Sequence, residues 1–250
     1  EDLQAGKLYD ICFNCFWVND PTKHEFVPND VQRIQTQKSL DARLKCVYNY
    51  KEDSKKNLLD LIDSAGIART EVFAGDYLDE PQITIISPTR DFYESLLPKF
   101  RNKLNFHWAL EALEENSYSS KDDISDETTL SKTLDDATDD TSAHNQSSIV
   151  FLLETDEKQK FLFTGDAGRD AFNHVPQTLL GKVKDVTWMK VPHHGSKHNL
   201  DSTIIKHVNP EIAYISTEKQ GKYLNRSTVF ARRKNGTKVS CELVINELAY

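Results

Sequence analysis

Two short stretches of this chain carry residue types suited to divalent-metal chemistry. One is His193-His194-Gly195-Ser196, which follows the apolar run at residues 186–191. The other is Gly165-Asp166, which closes the apolar run Phe161-Leu162-Phe163-Thr164. Imidazole nitrogens and carboxylate oxygens both bind zinc, and a strand end fixes where such groups point. A glycine beside them lets backbone pass close to whatever they hold. Two strands that present Asp166 and the histidine pair at corresponding ends would make half of a metal site. Two plainer readings stand beside this one. Asp166 could cap a helix that begins after it, and His193 and His194 could be ordinary core or surface histidines.

Three more segments carry the reading further. They are Ala74-Gly75-Asp76 followed by Gln82-Ile83-Thr84-Ile85-Ile86-Ser87-Pro88, then Asn145-Gln146-Ser147-Ser148-Ile149-Val150, then Pro210-Glu211-Ile212-Ala213-Tyr214-Ile215-Ser216. Together with Thr164-Gly165-Asp166 and His193-His194-Gly195-Ser196, and in this order, they resemble the metallo-β-lactamase superfamily. The likeness is strongest to the hydrolase domain of DNA-uptake competence channel proteins and its soluble relatives, and it runs over residues 8–240. The resemblance implies an α/β (α+β) chain folded as an αββα sandwich. It implies two divalent ions, Zn2+ or Mn2+, about 3.5–4 Å apart in a cleft at one end of the sandwich. Asp166 would bridge them and His194 would be the last ligand, both acting in catalysis. His193 would be a neighbouring ligand or a substrate contact. Asn145, His144 and Ser196 would face the substrate, and Ser196 could instead cap the following turn. The implied substrate is a phosphodiester, nucleic acid by analogy with the subgroup. A small carbonyl substrate fits less well, because His193 and Ser196 depart from the pattern of those members.

The superfamily's His-x-His-x-Asp-His motif is absent from these 250 residues, whose eight histidines nowhere show that spacing. Residues 3–17 resemble what the family places just after that motif. Residues 1–250 are therefore expected to form the C-terminal major part of one domain, without its N-terminal strands. The N-terminal half of the fold, in the same gene product or a separate chain, becomes the expected partner. Asp166 and His194 alone give two protein ligands where catalytic zinc takes three. By itself the chain is expected to bind metal weakly and to be inactive. Tyr223-Leu224-Asn225 also stands where the subgroup has a further histidine. These departures keep open an alternative, a non-catalytic, degenerate subunit of the same fold that acts through protein partners.

Composition is uneven along the chain. Residues 114–142 hold ten acidic and two basic side chains, a balance equal to the net charge of −8 of the whole chain. So few apolar groups cannot offset the entropy of ordering, and the segment is expected to be a mobile acidic insertion. The rest is neutral overall, which leaves a phosphate-bearing substrate open. Four cysteines do not make a disulfide scaffold. Cys12 and Cys15 lie in an apolar run and are expected as core residues. No run reaches the roughly 20 apolar residues a membrane span needs, and a cytoplasmic location is the expectation.

The elements that must position these groups follow from periodicity. Strands are expected at residues 9–17, 82–86, 149–153, 160–163, 186–191, 212–215 and 238–245. The runs 149–153 and 160–163 should pair as a hairpin across Asp156-Glu157-Lys158-Gln159. Helices are expected at 31–44, 56–65, 91–100, 104–113, 176–180, 202–208 and 227–234, with a short one after Asp166.

Overall fold

A computed structural model describes residues 15–24, 57–100, 134–217 and 238–243. The expected helices at 31–44, 104–113 and 227–234, Cys12 and most of the acidic run lie outside the described residues.

The chain, expected as one domain, divides into two compact units, Glu1–Val72 with Leu97–Trp108 and Phe73–Leu96 with Ala109–Tyr250. Because each unit is built from two stretches of sequence, no linker marks the division. In the first unit β1 (Cys15–Trp17) pairs in parallel with β2 (Ala68–Thr70), Phe16 lying opposite Arg69. Helix α1 (Leu58–Ser64) is capped by Asn57, whose side chain accepts from the Leu59 N–H at 2.8 Å. Arg69 grips Asp63 with two parallel bonds of 2.7 and 2.9 Å and also reaches Asp20 at 3.3 Å. Cys15 is exposed, against the expectation of a core residue. It opens the strand and lies 3.4 Å from the Thr70 hydroxyl.

The second unit holds a seven-stranded sheet. Its strands are β3 (Tyr77–Leu78), β4 (Gln82–Ser87), β5 (Val150–Glu154), β6 (Lys160–Phe163), β7 (Trp188–Lys190), β8 (Ile212–Thr217) and β9 (Lys238–Leu243), and they lie in that order. Pairs from β3 to β6 are antiparallel and pairs from β6 to β9 are parallel. Parallel neighbours need a crossover. Helices α4 (Arg169–Asn173) and α5 (Gln177–Leu180) lie between β6 and β7, and α6 (Ser202–Val208) between β7 and β8. Helix α2 (Arg90–Leu96) follows β4, and the short α3 (Ala143–Gln146) precedes β5. Mixed helices and sheets make this an α+β protein. The expected hairpin is present, Phe151 opposite Phe163 and Glu154 opposite Lys160.

Alternation of side chains gives the central strands two apolar faces. Leu152, Leu162, Met189 and Ala213 are buried on one face. On the other, Phe151, Phe163, Trp188 and Tyr214 are half-buried and pack in a row across four strands, with ring centroids 4.7, 5.2 and 5.4 Å apart. Burial on both faces is why these strands read as apolar runs without clean alternation.

The end of the acidic run departs from its expected mobility. Leu134, Asp140 and Ser142 are buried. Arg169, itself buried, donates to the carbonyls of Leu134 (2.7 Å), Ala137 (3.1 Å), Lys197 (3.1 Å) and Leu200 (3.1 Å), and pairs with Asp139 at 2.9 Å. One guanidinium thus ties residues 134–139 to the loop that follows the histidine pair. Composition averaged over the run hides this, because the partner lies elsewhere in sequence.

Candidate functional site

The site lies where strand ends meet. β6 and β7 run in parallel with Leu162 beside Met189, so the chain leaves both strands at the same edge. The His193 N–H donates to the Gly165 carbonyl at 3.3 Å, which joins the two exits directly. β5 runs the other way, so the residues that precede it reach this edge too. The Asp166 N–H accordingly donates to the Ser148 hydroxyl at 3.1 Å. β8, parallel to β7, brings Ser216 alongside. In open sheets, ligands gather beyond the carboxyl ends of parallel strands.

The histidine pair is held in unusual backbone. His193 has φ 44° and ψ 52°, His194 φ 54° and ψ 22°, and Gly195 φ 90°. Left-handed backbone at a non-glycine residue costs about 1–3 kcal/mol and persists only where surroundings impose it. Here Pro192 enters the turn, and the Ser196 N–H closes it on the His193 carbonyl at 3.0 Å. The two rings then diverge, their centroids 6.2 Å apart.

Each ring has an acceptor near Nδ1, close for His194 and longer for His193. His194 Nδ1 lies 2.6 Å from the Ser216 carbonyl, which can only accept, so Nδ1 carries the hydrogen. In the neutral ring Nε2 is then the lone-pair nitrogen, the form that binds metals. His193 is buried, with Nδ1 3.5 Å from Asp140 Oδ2 and 3.4 Å from Asn145 Nδ2. Asp140 is held on both oxygens. The Ser142 N–H donates to Oδ1 at 2.8 Å, while Asn145 and Asn199 donate to Oδ2 at 2.7 and 2.9 Å. Burial by itself would raise the Asp140 carboxyl. The bonds from His193, Asn145, Ser142 and Asn199 outweigh it and hold the carboxyl below its ordinary range.

Asp166 is more open, its side chain 41% exposed. It does not cap the helix after it; the N-cap of α4 is Gly168. Lys190 Nζ lies 3.9 Å from Asp166 Oδ1 and donates to the Gly165 carbonyl at 2.8 Å. Burial pulls the Lys190 ammonium below its ordinary value, and the Asp166 charge opposes that shift.

The remaining expected site residues divide. Asn145 is turned inward, its amide donating to Asp140 at 2.7 Å and lying 3.4 Å from His193 Nδ1. His144, its neighbour on α3, is half-buried, and its carbonyl accepts from the Ser147 hydroxyl at 2.8 Å. Ser196 is buried and takes the turn-capping role, its hydroxyl accepting from the His198 N–H at 3.2 Å. Asp140, Asn199, Lys190 and Arg169 were not singled out by sequence. Asp140 lies five residues before Asn145 and two after Thr138, whose carbonyl lies 2.7 Å from His198 Nδ1, but nothing local distinguishes it from the other acids of its run.

A carboxylate and two imidazoles are suitable donor types for zinc or manganese. Their spacing is the shortfall. Among the described residues no three His, Cys, Asp or Glu side chains gather closely enough to hold an ion. Asp166 and His194 are thus at most part of a set. Among the described residues no helix is long and apolar enough to cross a membrane.

No family model matches the chain, and neither a curated protein nor a solved structure matches it.

Proposed function

We propose that this chain is the larger part of a metal-dependent hydrolase of the metallo-β-lactamase type, an αββα sandwich acting on phosphodiester bonds, with nucleic acid as the substrate class. The observation that carries the reading is the tethering of His194 at Nδ1 by the Ser216 carbonyl, in strained backbone, at the edge where β6 presents Asp166. Strain and a fixed tautomer at a shared strand edge are what ligand placement demands and what a surface histidine does not need. Asp166 and His194 would hold the metal, with His193 beside them, and at least one more protein ligand must join them. A bound pair of divalent ions would supply hydroxide near neutral pH, by lowering the pKa of water from 15.7 to about 7. The chain's own part is to orient the ligands and to place Lys190 where it can balance charge near Asp166.

The test is cleavage of a phosphodiester with Zn2+ or Mn2+ by a protein that contains these residues together with a His-x-His-x-Asp-His motif. Asp166→Asn or His194→Ala should each lower the rate about a hundredfold or more. The 250 residues alone should be inactive. Cleavage that neither substitution changes would contradict the reading.

A second reading, a non-catalytic subunit that acts through protein partners, draws on the absence of a three-ligand cluster among the described residues. It predicts that no divalent ion binds at Asp166 and His194 under any of these conditions.

A further inference from the structure

The acid whose contacts are most completely specified at this site is Asp140, which belongs by composition to the acidic run and by structure to the histidine turn. Its main chain is fixed as well as its side chain. The Asp140 N–H donates to the His198 carbonyl at 3.1 Å, and its carbonyl accepts from Gln146 Nε2 at 2.5 Å. Gln146 Oε1 in turn accepts from the Ala171 N–H at 2.9 Å. Asn199, fully buried, donates both to Asp140 Oδ2 and to the Asp166 carbonyl, at 2.9 and 3.0 Å. One amide therefore links the carboxylate beside His193 to the backbone of Asp166.

We infer that Asp140 is a positioning residue, which accepts the Nδ1 hydrogen of His193 and so fixes the ring with Nε2 as its lone-pair nitrogen. Two groups compete for His193 Nδ1. Asn145 could donate to it across 3.4 Å, which would place the ring hydrogen on Nε2. Asp140 can only accept across 3.5 Å, which places the hydrogen on Nδ1. The ionised acceptor is favoured, because its charge attracts the ring hydrogen even at 3.5 Å, where a neutral amide at 3.4 Å gains little. His193 and His194 then share one tautomer by two different anchors, a carboxylate and a backbone carbonyl. The consequence for catalysis rests on the proposed function; the tautomer does not.

Nitrogen-15 NMR of histidine-labelled, metal-free protein, at a pH above the imidazole range, reads the tautomer directly, with His193→Gln supplying the assignment. The expected result is an Nδ1–H ring at His193 in the wild type and in Asn145→Ala. Asp140→Asn should shift His193 toward the Nε2–H form while His194 keeps its own pattern. A wild-type His193 in the Nε2–H form overturns the inference, as does a tautomer that Asn145→Ala reverses or that a folded Asp140→Asn leaves unchanged. If Asp140→Asn fails to fold, the wild-type and Asn145→Ala spectra still decide. Divalent-ion affinity supplies the second reading, expected to fall about tenfold in Asp140→Asn and to recover in part in Asp140→Glu. Absence of any ion binding in the wild type would remove the hydrolase reading and leave the tautomer result standing.

Discussion

At the residue scale, Asp20 and Asp140, the buried carboxylates among the described residues, each draw several donors that favour the ionised form. Asp20 in the first unit shows it away from the candidate site. Its Oδ1 accepts from the Thr22 N–H at 3.0 Å and the Thr22 hydroxyl at 2.7 Å, and Arg69 reaches Oδ2. Burial pushes its carboxyl up, but the bonds from Thr22 and Arg69 prevail and hold it below the ordinary value. A depressed folded-state pKa contributes stability that is fully present above the unfolded value, about 3.9, and is lost as pH falls through the folded one. Denaturation measured against pH should therefore show a loss of stability below about pH 4 that Asp20→Asn reduces. Asp20 also caps the short turn Pro21–Lys23, so at neutral pH Asp20→Ala should cost about 1–2 kcal/mol, chiefly through that lost cap. An unchanged acid limb in Asp20→Asn would show that these bonds do not lower its pKa.

At the element scale, what holds the site is a set of contacts between loops, and the regular elements were far easier to foresee. The hairpin of β5 and β6, strand β8 and helix α6 stand where periodicity and turn residues put them, because their signals are local. The pairing of residues 134–139 with the loop at 197–200 depends on Arg169, one cation on a helix in another part of the sequence. Asp140 carries no local signal for the same reason. Removing Arg169 would leave four carbonyls, two of them buried, short of a donor and Asp139 without its partner, and Arg169→Met should cost about 3 kcal/mol in chemical denaturation. Limited proteolysis should then cut first within residues 134–140. A stability within about 0.5 kcal/mol of wild type, the usual range for surface substitutions, would show that water replaces these bonds at little cost. Gly168 offers a second probe, since a Cβ there would run into the Gln146 amide. Gly168→Ala should displace Gln146 from Asp140 and Ala171 and lower the melting temperature.

At the scale of the whole molecule, sequence foresaw the coarse class, mixed helices and sheets, and not the division into two units. Both units are discontinuous in sequence, so the usual sign of a boundary, a polar linker, has no place to occur. The candidate site was half legible. Asp166 and the histidine pair announce themselves by residue type at strand ends. The network that orients them is spread over residues 140–216 and is visible only once β5, β6, β7 and β8 are aligned. What the molecule does turns on whether Asp166 and His194 share an ion. The most direct measurement is equilibrium dialysis of the 250-residue protein against Zn2+ and Mn2+, comparing wild type with Asp166→Asn and His194→Ala. The account predicts weak, saturable binding that each substitution lowers by about tenfold or more. Binding absent from the wild type, or equal in all three proteins, would contradict it.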